Sequence, residues 1–245
     1  MDAGQAFWDL YSPIAMGNGR RPFVVGQLGQ SLDGRIATPT GSSRYINCPE
    51  GILHLHRLRA LVDAVIVGIG TVLADDPQLT VREVAGNDPA RVVIDPNGRL
   101  PPDARVLAED GCPVFVVQAQ DRPRPHWVTP ITIPSQGSRI APAAIVAALA
   151  ERGFRRLLVE GGAGTLSWFL AAGALDRLHI SVAPVIIGSG PIGISLPPID
   201  PIEDALRPRA AIHRLGNDIL FDCIMTPTPV PAPTIRELLL DSVER

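Results

Sequence analysis

Apolar residues along this chain form two patterns: short β-branched runs stopped by glycine, proline or an acid, and stripes at helical spacing between them. Residues 23–28, 64–67, 91–95, 113–118 and 155–159 are runs of the first kind, and their length and their stops predict buried strands. Residues 131–133 make a weaker strand. Residues 178–187 make another that Pro184 interrupts, which predicts an edge or a bulge. Residues 211–215 and 219–225 flank Gly216-Asn217-Asp218 as a closing hairpin. Leu53, Leu55, Leu58, Leu61 and Val62 form an apolar helical stripe, with Asn47 as N-cap, Pro49 in the first turn and Glu50 completing a capping box. On that helix Arg57 and Arg59 read as solvated charges. A second helix spans 142–152, with Gly153 just past its end, and a third runs from the glycines after Val159 through Leu170 to Asp176. Strands alternating with helices predict an α/β domain, and the terminal hairpin makes its sheet mixed.

The same pattern divides the chain. Residues 1–21 form an N-terminal arm that docks by Phe7, Trp8 and Tyr11; residues 22–226 form the main domain; residues 227–245 form a proline-rich connector and a short amphipathic helix. There is no internal repeat.

Composition narrows the function. No apolar run in the 245 residues reaches the roughly 18 that a membrane-spanning helix needs, and no cationic leader opens the chain, so a cytoplasmic protein is expected. A net charge of −3 gives no broad basic field for nucleic acid, which leaves a small molecule as the expected partner. All 22 basic residues are Arg. Lysine chemistry is therefore excluded, and an anion must be met by Arg, backbone N–H or hydroxyl groups. Cys48, Cys112 and Cys223 lack zinc spacing, and His54 and His56, two apart, face different sides of a helix. HExxH and G-x-S-x-G are both missing, and no metal is expected.

Two stretches carry candidate chemistry. In residues 61–82 a buried strand meets Gly68-Ile69-Gly70-Thr71, then the adjacent acids Asp75 and Asp76 before Pro77, then Leu79-Thr80-Val81-Arg82. Neighbouring carboxylates repel, burial raises the pKa of either, and a guanidinium suits a phosphate or carboxylate. A surface turn with a stray Arg explains the stretch equally well. In residues 155–166 a strand ends in Glu160, and Gly161, Gly162, Ala163, Gly164 and Thr165 open a helix whose free N–H groups and dipole favour an anion. Tight strand-to-helix packing accounts for those glycines as well. Both stretches follow the carboxyl ends of strands, where ligands of open α/β sheets bind.

These residues resemble the reductase domain of riboflavin biosynthesis. The resemblance runs from about Phe23 to Met225 and rests on Ser31-Leu32-Asp33-Gly34-Arg35-Ile36-Ala37, Leu58-Arg59-Ala60 with Asp63-Ala64, the segment from Gly70 to Pro77 with Leu79 to Arg82, Val92-Val93-Ile94-Asp95, and Val159-Glu160-Gly161-Gly162. It implies a dihydrofolate-reductase-like three-layer fold with a mostly parallel sheet, a homodimer, for which the apolar strand 178–187 is a candidate seam, and NADPH as cofactor. Gly29, Tyr45, Thr71 and Asp75 would lie along NADPH, and Gly161, Gly162, Ala163, Gly164 and Thr165 would cradle its pyrophosphate. Ser43, Arg59, Leu79, Arg82 and Glu160 would hold the substrate, with both Arg on its phosphate, while Asp75 and Glu160 steer the proton and the sugar hydroxyls. The implied reaction reduces a ribosylaminopyrimidine 5′-phosphate to its ribitylamino form. A pterin or folate reductase of the same fold and a non-catalytic nucleotide-binding module are the alternatives. No zinc-deaminase signature, H-x-E with P-C-x-x-C, occurs in these residues. Gln27 stands where the family pattern has Lys, Tyr45 where it has Trp, and Pro96 where a Ser is common. Asp75 is expected to face the site and Asp76 to shape the turn.

Overall fold

The computed structural model describes residues 3–17, 19, 21–44, 46–135 and 139–225. Tyr45 and the expected connector and C-terminal helix lie outside them.

The strands predicted from apolar runs all form. They are β1 (Phe23–Ser31), β2 (Ala64–Gly68), β3 (Ala90–Ile94), β4 (Val114–Gln118), β5 (Val128–Thr132), β6 (Arg156–Glu160) and β7 (Arg177–Ala183), with β8 (Arg209–Leu215) and β9 (Asp218–Ile224) as the hairpin. They join one sheet in the order β5-β4-β3-β2-β6-β1-β7-β9-β8. Pairing is parallel from β5 to β7 and antiparallel where β9 meets β7 and β8. Helices α1 (Ala3–Met16), α2 (Pro49–Leu61) and α3 (Ile69–Asp75) pack through Tyr11, Leu58 and Val72 on Val25, Val65 and Leu158 at one face. Helices α4 (Pro142–Glu151) and α5 (Ala163–Ala171) pack through Ile145, Leu149, Leu166 and Phe169 on Val24, Ile66 and Val159 at the other. Alternation along each strand produces this division, because neighbouring residues point to opposite faces. The result is the expected three-layer α/β architecture.

Several expectations need correcting. β7 is neither an edge nor bulged: it pairs with β1 on one side and β9 on the other and stops before Pro184, whose missing N–H ends the ladder. α2 is capped by Cys48 without a side-chain bond, and Asn47 instead donates to the Ser181 carbonyl (3.3 Å), the Ser181 hydroxyl (3.1 Å) and Asp218 (2.9 Å). The helix after the glycines ends at Ala171, five residues earlier than Asp176, because Gly173 adopts φ 62° and Asp176 turns back to bond Val24. Residues 69–71 belong to a helix that starts directly after β2, where a glycine turn was expected.

The arm docks, though not by every aromatic. Leu10, Tyr11 and Ile14 are buried while Trp8 faces solvent. The Tyr11 hydroxyl bonds His54 Nδ1 (2.7 Å), His54 Nε2 meets His179 Nδ1 (3.2 Å), and His179 Nε2 meets Asp222 (3.1 Å). Burial holds the His54 imidazole well below its ordinary pKa and lowers that of His179 despite Asp222. At the far end of β1, Asp33 accepts the Ser31 hydroxyl (2.6 Å) and the N–H groups of Ile187 (3.0 Å) and Gly188 (2.7 Å), so that motif acid ties two loops together.

Candidate active site

Two features meet at the carboxyl ends of β2 and β6. The first is a cleft of about 290 Å³ between the N-termini of α3 and α5, lined by Gly68, Gly70, Thr71, Gly162, Gly164 and Thr165 on one side and by Ile94, Pro96, Arg99, Arg139 and Trp168 on the other. α3 and α5 approach so closely here that a Cβ on Gly68 would stand 2.1 Å from Thr165 Oγ1, and one on Gly162 would stand 2.5 Å from Thr71 Oγ1. Gly162 also holds φ 53°, a conformation that suits glycine. The first intrahelical bonds of α5 come from Thr165 and Leu166 to the Gly162 carbonyl (3.0 and 3.2 Å), so the N–H groups before them point outward. Thr71 Oγ1 is buried among the described residues without a hydrogen-bond partner. An unpaired buried hydroxyl beside an open helix N-terminus is a place for an anionic oxygen.

The second feature lies on the α2 face. Glu160, the last residue of β6, receives Arg59 of α2: Nε donates to Oε2 at 2.8 Å and Nη2 to Oε1. Arg59 Nη1 also donates to the Thr80 carbonyl at 2.9 Å. Both side chains are nearly buried, at 6% and 11% exposure, so this pair is a fixed strut and not a solvated contact. The following segment is held by its backbone. Leu79 adopts φ 60° with its side chain in the core, an uncommon conformation for so bulky a residue. The Arg82 N–H donates to His56 Nδ1 at 3.0 Å, while Arg82 Nη1 reaches the Thr80 hydroxyl at 2.6 Å and its guanidinium is exposed.

The adjacent acids differ in their contacts, and Asp76 has the expected turn role. Asp76 ends α3 at φ 40°, returns its N–H to Val72 and accepts the Arg105 N–H at 2.8 Å, so it shapes the turn. Asp75 stands four residues after Thr71 on the same helix and shares its face. Its carboxylate has no hydrogen-bond partner among the described residues, and the surrounding protein desolvates it enough to raise its pKa although solvent still reaches it.

The structure gathers Thr71, Gly161, Gly162, Gly164 and Thr165 at the cleft and Arg59, Glu160, Leu79 and Arg82 across β6 from it; Ala163 lines a smaller adjoining hollow. Gly29 lies in β1 two residues beyond Gln27, the partner of Glu160, and faces Asn47, and Ser43 is exposed in the loop before α2. Reading Arg59 as a solvated charge is overturned by its burial. Arg59 is already engaged by Glu160 and the Thr80 carbonyl, whereas Arg82 presents an exposed guanidinium. The sequence reading missed His56, Asn47, Arg99, Arg139 and Trp168. Arg139 stacks over Trp168 at 5.0 Å, and the indole donates to the Ile140 carbonyl at 3.1 Å. Nothing in the local sequence marked these residues, since each acts across elements far apart in the chain.

The sequence matches the family described as the RibD C-terminal domain over residues 22–221. It is similar to the riboflavin biosynthesis protein RibD of Aquifex aeolicus, at 34% identity over 209 residues covering 82% of this chain and 57% of that protein. It is also similar to the 2,5-diamino-6-ribosylamino-4(3H)-pyrimidinone 5′-phosphate reductase of Methanothermobacter thermautotrophicus, at 35% identity over 213 residues covering 82% of this chain and 97% of that one. The chain thus spans somewhat over half of the RibD relative and nearly all of the archaeal one. A solved deaminase/5-amino-6-(5-phosphoribosylamino)uracil reductase from Thermotoga maritima superposes with a TM-score of 0.74 at 28% identity, covering 90% of this chain and 60% of that one. The Saccharomyces cerevisiae riboflavin biosynthesis reductase Rib7 shares the fold, with a TM-score of 0.74 at 23% identity over 90% of this chain and 99% of that one.

Proposed function

The chain belongs to the RibD C-terminal domain family, and from that premise we propose that it is an NADPH-dependent reductase of riboflavin biosynthesis that converts a ribosylaminopyrimidine 5′-phosphate to its ribitylamino form. One observation supports this reading: β6 ends between the glycine-opened N-terminus of α5, beside Thr71 and Thr165, on one side and Glu160, fixed by Arg59, on the other.

The cleft residues fit a dinucleotide. Thr71 Oγ1 lacks a partner among the described residues, and the open N-terminus of α5 suits a pyrophosphate. Arg99 and Arg139 flank the far end of the cleft, where a further phosphate and a base can be met. NADPH, when bound, supplies the hydride that C1′ of the ring-opened sugar accepts. The chain's own residues align donor and acceptor. Asp75, with its raised pKa, is suited to holding a proton near the reacting carbon. Glu160, oriented by Arg59, holds sugar hydroxyls. Arg82 offers the exposed guanidinium that a terminal phosphate needs. Arg59 acts on the substrate through Glu160 and Thr80. Gly29, Ser43 and Tyr45 complete the proposed ligand contacts on the β1 side, and a homodimer in the cytoplasm is the proposed state.

A pterin or folate does not need Arg82 as a phosphate partner, and the relatives' names favour the phosphorylated pyrimidine. Turnover by an Arg82→Ala variant tests the reading. Loss of activity on the phosphorylated substrate with dinucleotide binding intact supports it; unchanged turnover sinks it.

A further inference from the structure

α2 holds the 79–82 segment at two points one helical turn apart. Arg59 donates to the Thr80 carbonyl (2.9 Å), and His56, three residues earlier and 2% exposed, accepts the Arg82 N–H at Nδ1 (3.0 Å). Between them the Val81 N–H donates to Asp88. This segment pairs with no strand, so these side-chain bonds and the buried Leu79 are what fix its backbone. The His56 bond determines where the Arg82 side chain starts.

We propose that His56 is a positioning residue for phosphate recognition: its Nδ1 lone pair sets the Arg82 backbone so that the exposed guanidinium meets the 5′-phosphate of the substrate. The inference rests on the reading of Arg82 given above and adds to it a residue buried away from any ligand.

Accepting the Arg82 N–H requires the tautomer with the proton on Nε2, and it requires a neutral ring. A protonated His56 has two donors and no acceptor, so the latch opens. Burial keeps the ring neutral by lowering its pKa from 6.5, helped by the charges of Arg59 and Arg82 and opposed by Glu83 and Glu160. Phosphate recognition is therefore complete above that lowered pKa and weakens as pH falls through it. A bound phosphate dianion beside Arg82 raises the pKa of His56, so the latch is most acid-sensitive in the complex.

The test compares KM and kcat of wild type, His56→Asn and His56→Leu between pH 5 and 8, roughly spanning the histidine range. Each is assayed with the ribosylaminopyrimidine phosphate and with its dephosphorylated nucleoside. Asn places an acceptor oxygen near the Nδ1 position and does not titrate; Leu fills the volume and accepts nothing. The expected result at neutral pH is a rise in KM for the phosphorylated substrate of about tenfold in His56→Leu, the scale of one lost hydrogen bond. In that variant kcat stays within about twofold and KM for the nucleoside is unchanged. His56→Asn restores most of the affinity. It also removes the part of the acid rise in KM that wild type shows beyond ionisation of the substrate phosphate, which is common to both proteins. Equal phosphate KM in His56→Leu and wild type, or an unaltered acid limb in His56→Asn, overturns the proposal. Arg82→Ala separates the levels. If it leaves phosphate KM unchanged, the site reading fails and takes this inference with it; if it raises KM while His56→Leu does not, only the role of His56 falls.

Discussion

Arg59 and Glu160, 101 residues apart in sequence, join through Nε–H to Oε2 at 2.8 Å and through a second contact from Nη2 to Oε1. The pair ties α2 to the end of β6 at the point where the two proposed ligands meet. Because both side chains are nearly buried, removing one partner strands the other charge. Arg59→Met should destabilise the fold by about 3–5 kcal/mol, while Arg59→Met with Glu160→Met should recover much of that loss. Urea midpoints of the two variants decide it. If the single variant is as stable as wild type, the pair is not the strut described.

Thr71 predicts a trade between stability and affinity. Its buried hydroxyl is unpartnered among the described residues, so Thr71→Val, similar in shape, should leave stability equal or raise it by up to about 1 kcal/mol. The same change should weaken dinucleotide binding by about fivefold to tenfold, the equivalent of one hydrogen bond. Thermal denaturation and titration calorimetry with NADPH read the two effects separately. Tighter binding in the variant contradicts the cradle.

Gly29 and Asn47 predict a steric coupling. A Cβ at residue 29 would stand 1.9 Å from Asn47 Oδ1, and Asn47 is held by Ser181 and Asp218. Gly29→Ala should cost about 1–3 kcal/mol through overpacking. Adding Asn47→Ser, which withdraws the clashing atom, should make the double variant more stable than the sum of the single changes predicts. Strict additivity in denaturant midpoints argues against the contact.

The chain Tyr11–His54–His179–Asp222 predicts acid sensitivity. Both histidines are buried with lowered folded-state pKa values, chiefly from desolvation. Above the unfolded value of 6.5 each is neutral in both states and stability does not change on their account. As pH falls below 6.5 the unfolded chain binds protons that the folded one refuses, so stability declines by up to about 1.4 kcal/mol per pH unit for each histidine. His54→Leu should flatten the decline by one proton. Unfolding free energies measured from pH 7 to pH 5 would show a slope as steep in the variant as in wild type if His54 were not held neutral.

What could be read from the sequence was what local patterning controls. The strand segments 64–67 and 157–159 are continuous apolar runs because both of their faces are covered, and such runs announce themselves. The glycines after Glu160 signalled the close approach of backbone to Thr71 at the start of α5, since such an approach excludes side chains. The turn role of Asp76 was legible because Pro77 follows it directly. What escaped depended on partners distant in the chain. Asn47 fits an N-cap by type, yet Ser181 and Asp218 compete for its amide once β7 and β9 pair. Arg59 looked solvated because a helical wheel does not include Glu160. Pro184 suggested an edge strand, but β7 ends one residue before it and stays interior. His56 could be read only after residues 79–82 had been folded back over α2.

The central claim is the reaction itself, and NADPH oxidation with the ribosylaminopyrimidine 5′-phosphate, supplied in its amino and its deaminated forms, tests it most directly. The account predicts one equivalent of NADPH consumed per equivalent of ribitylamino product with at least one of the two forms, and no comparable consumption with dihydrofolate. No oxidation with either form, or faster oxidation with the folate, would contradict it.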